Sequence, residues 1–124
     1  MIIDRATAPF VILDQETLVA ALTKITANRE RILFVSDSHG HLLGSLSDGD
    51  VRRWLIANPQ ADLTTSVGEV CHRSVRSASI DAPADEIRAL LNGPITHVPL
   101  LDGQQRIVAV ATGSATALQL SLIH

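Results

Sequence analysis

Residues 44–50 read Gly44-Ser45-Leu46-Ser47-Asp48-Gly49-Asp50, and the run Val51-Arg52-Arg53-Trp54-Leu55 comes directly after. Strand-type alternation gives way here to helical spacing, so the stretch is a strand-to-helix junction. Ser47 and Asp50 stand three apart, the spacing of a capping box. A helix start also offers unpaired N–H groups and the positive end of a dipole, which together favour an anion. A serine hydroxyl placed there donates to a phosphate oxygen or accepts from the backbone. An aspartate one turn in accepts from two vicinal ribose hydroxyls. Gly44, on the strand before, lets a ligand come close to the backbone. The junction thus serves plain capping, ribose and phosphate recognition, or both.

Working outward, the chain repeats its pattern at an offset of 65 from about Glu16 to Gly49. Leu22 falls on Ile87, Ile25 on Leu90, Leu33 on Val98 and Val35 on Leu100, while Asp37 falls on Asp102 and Ser47 on Thr112. Few of these are identities; hydrophobic pattern, a turn acid and a hydroxyl are what register. Each half reads as β-α-β-β-α. In the first, Phe10–Leu13 is a strand, Asp14 caps a helix striped by Leu18, Ala21, Leu22 and Ile25, and Arg31–Ser36 and His41–Leu46 form a hairpin. In the second, a strand near Arg76–Ile80 leads to a helix over Ala84–Asn92 that Gly93-Pro94 stops. A hairpin then joins Thr96–Leu101 to Arg106–Thr112, and a last helix begins near Ser114 with Leu118 and Leu122 inward. Asn58–Thr65 is a polar link, succeeded by one helical turn over Ser66–Cys71 with Ser66 capping. A unit of about 60 residues buries too little surface to stand alone. The expected fold is α/β (α+β), two pseudo-twofold-related repeats over 1–64 and 65–124 packed sheet to sheet, with equivalent clefts between them.

Composition narrows the function. With 46% hydrophobic and 19% charged residues the chain carries a core. The net charge of −3 leaves no positive footprint for nucleic acid. Phe10, Phe34 and Trp54 are the only aromatics, which argues against a stacking platform and predicts that a bound base rests on aliphatic surface and backbone. One cysteine, Cys71, excludes a disulfide framework and a multi-cysteine zinc site. No membrane span or signal-type leader is read, so the expected location is cytoplasmic.

With the repeat and the junction in hand, the chain resembles a tandem pair of CBS domains, a Bateman module, over nearly its whole length. Gly44-Ser45-Leu46-Ser47-Asp48-Gly49-Asp50 matches that family's Gly, two residues, Ser/Thr, two residues, Asp. Val67-Gly68-Glu69-Val70-Cys71, with Cys71 where Met is usual, and His97-Val98-Pro99-Leu100-Leu101-Asp102 support it. The resemblance implies a non-catalytic regulatory module that binds an adenosine-containing nucleotide (AMP, ATP or an S-adenosyl compound), associates as a homodimer, and controls an attached or partner enzyme. It also implies that the first site borrows Val75 for the base and His97 near the phosphates. The candidate ligand residues are then Gly44, Ser45, Ser47, Asp50, Val75 and His97, with Thr112 as the second repeat's hydroxyl.

Repeat two departs from the pattern: Ala109-Val110-Ala111-Thr112-Gly113-Ser114-Ala115 has Ala115 where the acid belongs. Losing a hydrogen bond to a charged group costs about 1.5–3 kcal/mol, or one to two decades in affinity. One competent site and one weak or vacant site are expected. More narrowly, Ser47–Leu55 resembles the Asp-Gly-Asp-Ile-Arg-Arg stretch of CBS pairs at the N-terminus of bacterial sugar-phosphate nucleotidyltransferases, which implies the regulatory segment of a longer enzyme. No nucleophile–base–orienter set, metal spacing or cofactor motif is present, so no catalytic residue and no metal ligand is assigned. Arg52 and Arg53 read as a solvated face, Trp54 and Cys71 as packed, and His39, His41 and His72 as weak metal signals. The alternative function is a structural dimerisation module with no ligand.

Overall fold

In this computed structural model the structure describes residues 1–113. The elements run β1 (Ile2–Asp4), a short 3-10 helix (Ala8–Phe10), β2 (Val11–Leu13), α1 (Leu18–Asn28), β3 (Ile32–Ser36), β4 (Leu42–Ser47), α2 (Asp48–Ala57), α3 (Val67–Val70), β5 (Ala78–Ser79), α4 (Ala84–Leu90), β6 (His97–Leu101) and β7 (Ile107–Thr112). They form a three-stranded sheet, β2-β3-β4, and a four-stranded sheet, β1-β7-β6-β5. In each, a parallel pair (β2 with β3, β5 with β6) meets an antiparallel hairpin.

The alternation of the strands explains how the sheets pack. Leu33, Val35 and Leu46 bury one face of the first sheet against Leu18, Ala21 and Ile25 of α1 and Val51 of α2. Val98, Leu100, Ala109 and Ala111 do the same against Ile87 of α4. The residues between them point the other way: Phe34 and Val110, with Phe10, form a third core that Ile32, Leu42, Val75 and Ile107 complete. Each half therefore keeps a small core under its helices and shares a third between the sheets. Such sharing is what a unit of this size needs to become stable.

The repeat extends to irregularities. The β3/β4 register shifts between Val35 and Ser36, and the β6/β7 register shifts between Leu100 and Leu101, positions 65 apart. In the first hairpin, Asp37 Oδ1 accepts from the backbone N–H groups of His39 and His41, each at 2.9 Å. Asp102 Oδ1 accepts from those of Gln104 and Arg106, again at 2.9 Å. The turn acid is thus an acceptor for two otherwise unpaired donors, which is why it recurs. The two turns also clasp each other, with Leu42 N donating to Gln105 O at 3.3 Å and Ile107 N to Gly40 O at 3.0 Å.

Several local expectations are corrected. Asp14 does not cap α1, which begins only at Leu18; its backbone is instead held by Ser36 O and Gly68 N, both at 2.9 Å. The cap is Thr17, whose Oγ1 accepts from Ala20 N at 3.2 Å. Ser66 precedes α3 without a side-chain cap and turns its hydroxyl to Glu69 instead, at 3.2 Å. Phe10 belongs to the 3-10 helix rather than to β2, and α4 ends at Leu90, two residues early. β1 is an element the sequence pattern does not announce; it crosses to the other half and pairs with β7, Ile2 opposite Thr112. The helix expected from Ser114 with Leu118 and Leu122 lies outside the described residues. Among the described residues, no helix is long and apolar enough to cross a membrane.

Candidate functional site

The face shared by the sheets is not filled throughout. A cavity of about 210 Å3 lies where Ile32 and Phe34 of β3 and Ser45 of β4 meet Ser74, Val75 and Arg76 before β5 and Pro94, Ile95, Thr96 and His97 at the start of β6. Three of the candidate residues, Ser45, Val75 and His97, are brought together on its wall. Period-2 alternation places Ser45 there: it stands opposite Phe34 across the β3/β4 ladder, on the face turned to the other half. Ser45 is also tied to the linker, its N–H donating to His72 O at 2.9 Å and its carbonyl accepting from His72 N at 2.8 Å. That two-bond bridge fixes the chain three residues before Val75.

Gly44 does something other than expected. A Cβ there would lie 2.6 Å from His72 O and 3.0 Å from Cys71 Sγ. The close approach at this glycine is made by the chain's own 71–72 segment, on the face away from the cavity, where Cys71 is buried. Burial raises the Cys71 thiol above its ordinary value, against a smaller opposing pull from Arg73. This is a packed thiol rather than a reactive one.

Ser47 and Asp50 form the full capping box. Ser47 Oγ accepts from Asp50 N at 3.1 Å, and Asp50 Oδ2 accepts from Ser47 N at 2.9 Å. Arg53 Nη2 takes the other oxygen, Oδ1, at 2.8 Å. Both carboxylate oxygens are therefore occupied by the protein, and a ribose would take the place of Arg53 or of the N-cap amide. Arg53 is mostly exposed, so its hold is weak and readily exchanged. Ile32, a cavity residue, stands opposite Ser47 in the ladder, which sets the box at the edge of the cavity.

His97 is buried, with a side chain only 6% exposed. Its Nδ1 lies 2.8 Å from Thr96 Oγ1, and Phe10 packs on the ring at 5.7 Å between centroids. Nε2 stands 3.2 Å from Glu30 Oε2 across the two halves, yet makes no properly directed hydrogen bond. The distance is that of an ion pair with the Glu30 carboxylate rather than of a well-directed hydrogen bond. Burial lowers the imidazole below its ordinary value, and the Glu30 carboxylate offsets part of that. Thr112 stands opposite His97 on β7 and donates at 3.5 Å to Ile2 O, apart from the cavity.

Sequence reasoning missed Phe34, Arg76 and the Pro94–Thr96 loop. Phe34 puts a ring, only 1% exposed, on a wall that the sequence reading expects to be aliphatic. Its signal was its alternation with Leu33 and Val35, and Arg76 was marked only by adjoining Val75. Among the metal signals, His41 Nδ1 pairs with Asp37 Oδ2 at 2.9 Å, and no group of three or more potential ligands occurs among the described residues. The bond from the His41 amide is the largest cause holding the Asp37 carboxyl down at about 2.

The family model for the CBS domain matches the chain twice, over residues 4–57 and 67–114. No curated protein sequence matches it. Among solved structures it is similar to Staphylococcus aureus OpuCA, at 26% identity and a TM-score of 0.72 over 92% of each chain. It is similar to the CBS domain pair of the protein MJ0100 in complex with 5′-methylthioadenosine and S-adenosyl-L-methionine. There the identity is 23% and the TM-score 0.69, over 93% of this chain and 92% of that one. The cytosolic domain of the Mg2+ channel MgtE in complex with ATP is similar at 24% identity and a TM-score of 0.68, over 94% of this chain and 48% of that one.

Proposed function

The chain belongs to the CBS domain family as a tandem pair, and on that premise we propose that it is a regulatory module binding an adenosine-containing ligand between its repeats. The cavity between the two sheets carries this reading. Its apolar wall of Ile32, Phe34, Val75 and Ile95 suits a base, and Ser45, Arg76, Thr96 and His97 supply the polar contacts. At about 210 Å3 it is smaller than the roughly 300–1,000 Å3 of whole small-molecule sites. It holds a base and part of a sugar, and the rest of the ligand runs toward the start of α2. There Asp50 exchanges Arg53 for ribose hydroxyls, and Ser47, the helix N-terminus and, from the other repeat, His97 meet the phosphate or other group borne by the ribose. Ala115 deprives the repeat-related site of this carboxylate, so one site dominates.

The complexes of MJ0100 and MgtE support the ligand class, AMP, ATP or an S-adenosyl compound, for a module of this fold. Binding regulates only if it favours one arrangement of the halves over another. The shared third core and the clasped turns are the surfaces whose fit a wedged ligand changes. The regulated partner in this reading is a fused or associated enzyme such as a nucleotidyltransferase, in the cytoplasm. Isothermal titration with adenosine, AMP, ATP and S-adenosylmethionine tests the reading. Saturable binding that Val75→Arg abolishes is expected; no saturable binding of any of the four refutes it.

A second reading, a dimerisation module, is favoured by Ile56 on α2 and Val19 on α1, which are 75% and 49% exposed. Concentration-dependent association lost in Ile56→Glu, with no ligand response, would select it.

A further inference from the structure

The loop joining α1 to β3 is built around Glu30. Arg29 and Arg31, on either side of it, both adopt left-handed backbone, with φ of 61° and 65°. A non-glycine residue there costs free energy, and two in three residues persist only where the surroundings hold them. Asn28 does the holding: its Oδ1 accepts from Glu30 N at 2.8 Å and its Nδ2 donates to Pro9 O at 2.8 Å. The result is a carboxylate delivered 3.2 Å from the buried Nε2 of His97, in the other half of the molecule. Nε2 has no hydrogen-bond partner among the described residues. The Glu30 contact is thus an ion pair rather than a well-directed hydrogen bond, and a better-aligned acceptor can take its place.

The groups around His97 define what that partner is. Among the described residues, Arg76 and His97 are the cavity-lining side chains that can carry positive charge. Phe10 covers the ring from the 3-10 helix, Thr96 holds Nδ1 on its own strand start, and Thr112 stands opposite on β7. From the α1–β3 loop the facing charged group is Glu30. The cavity thus attracts an anion through Arg76 and His97, while Glu30, outside the cavity wall, holds the same imidazole from its far side as a competing anion.

We propose that Glu30 is a built-in competitor that sets the charge preference of the site. A ligand with an acidic tail must displace the Glu30 carboxylate from His97, whereas a nucleoside with a neutral tail binds with that contact intact. The proposal rests on the reading that the cavity binds an adenosine compound. Removing Glu30 therefore shifts the site toward phosphate-bearing ligands. Because a phosphate then holds His97 in its charged form, AMP binding to the Glu30→Gln variant takes up protons and strengthens as pH falls through the histidine range.

The test uses the full chain and two probes, adenosine and AMP, titrated calorimetrically into wild type, Glu30→Gln and a control, Glu86→Gln. The control makes the same charge change on exposed α4. The ratio of AMP to adenosine affinity is expected to rise on the order of tenfold in Glu30→Gln, as removal of one like charge beside the anion dictates, and to stay constant in the control. An unchanged ratio with both probes still binding overturns the competitor role and leaves the binding reading standing. Failure of both probes to bind any of the three proteins overturns both. A ligand-free readout stands beside these: the His97 ring, assigned by its loss in His97→Gln, titrates lower in Glu30→Gln than in wild type. An unmoved ring titration shows that Glu30 does not act on His97 and overturns the proposal by itself.

Discussion

Gly44→Ala separates the two meanings a glycine can have at a strand-to-helix junction. If Gly44 exists to admit a ligand, the variant folds normally and only binding suffers. If it exists to admit the 71–72 segment, as the geometry shows, the fold suffers first. The added methyl would sit 2.6 Å from a backbone carbonyl, His72 O, and 3.0 Å from Cys71 Sγ. A carbonyl in a two-bond bridge cannot swing aside as the end of a long side chain can. Overpacking costs about 1–3 kcal/mol, and pushing the segment away strains the two Ser45–His72 hydrogen bonds, each worth about 1 kcal/mol. The sum, roughly 2–5 kcal/mol, is a large part of the 5–15 kcal/mol that holds a domain together. Urea unfolding with a shared m-value measures it, and thermal melting should drop by on the order of 10 °C. Cys71→Ala in the same background relieves only the sulfur contact and so restores little. A Gly44→Ala variant within about 0.5 kcal/mol of wild type, with ligand binding lost, would refute the self-packing argument and return Gly44 to the ligand.

Other perturbations draw on the same contacts. Phe34→Ala should cost about 3–5 kcal/mol in urea unfolding, because the ring fills the core shared by both sheets. Asp50→Ala should cost about 1 kcal/mol of stability through the broken capping box and lower adenosine affinity at least tenfold, while Asp50→Asn keeps most of the stability. His97 titrates below its ordinary value in the fold, chiefly through burial. The unfolded chain therefore binds the extra proton first, and stability falls as pH drops below about 6.5. His97→Gln should flatten that part of a stability-versus-pH curve. The depressed Asp37 carboxyl stabilises the first hairpin above its ordinary value and loses that contribution as pH falls toward about 2. Asp37→Asn should remove this acid limb.

How much of the molecule is legible in its chain depends on the range over which each determinant acts. The turn acids Asp37 and Asp102 and the Ser47–Asp50 box are local: their partners lie within four residues, so spacing alone announces them. Alternation in Ile32–Ser36 and Ile107–Thr112 marks two faces but cannot say which face meets helices and which meets the other sheet. Phe34 and Val110 therefore become core residues of the third cluster only once the halves are docked. Asp14 misleads because an aspartate before a helix is a good cap, but α1 starts only at Leu18, where Thr17 takes that role. β1 has no local signal strong enough to name it, since three residues gain strand geometry only from β7, more than a hundred positions away.

The repeat also shows how one pattern can yield unequal clefts. Sliding by 65 carries Val75 onto Phe10, Ile95 onto Glu30 and Ile32 onto His97. On one side of the pseudo-twofold the three are aliphatic, and Ile32, Val75 and Ile95 line an open cavity. On the other, a ring, a carboxylate and an imidazole occupy those positions, with the imidazole against both the ring and the carboxylate. The substitutions keep the fold, because each still closes the face between the sheets, but they reverse the chemistry from room for a base to an internal acid–base contact. His97 belongs to both sides, lining the cavity with one part of its ring and facing Glu30 with Nε2. A ligand in the cavity and the contact across the pseudo-twofold are then coupled through one side chain. That coupling requires a double-mutant signature: Val75→Arg and Glu30→Gln should be non-additive in the His97 titration, although they stand in different repeats. Strict additivity would show two independent clefts and remove His97 as the link.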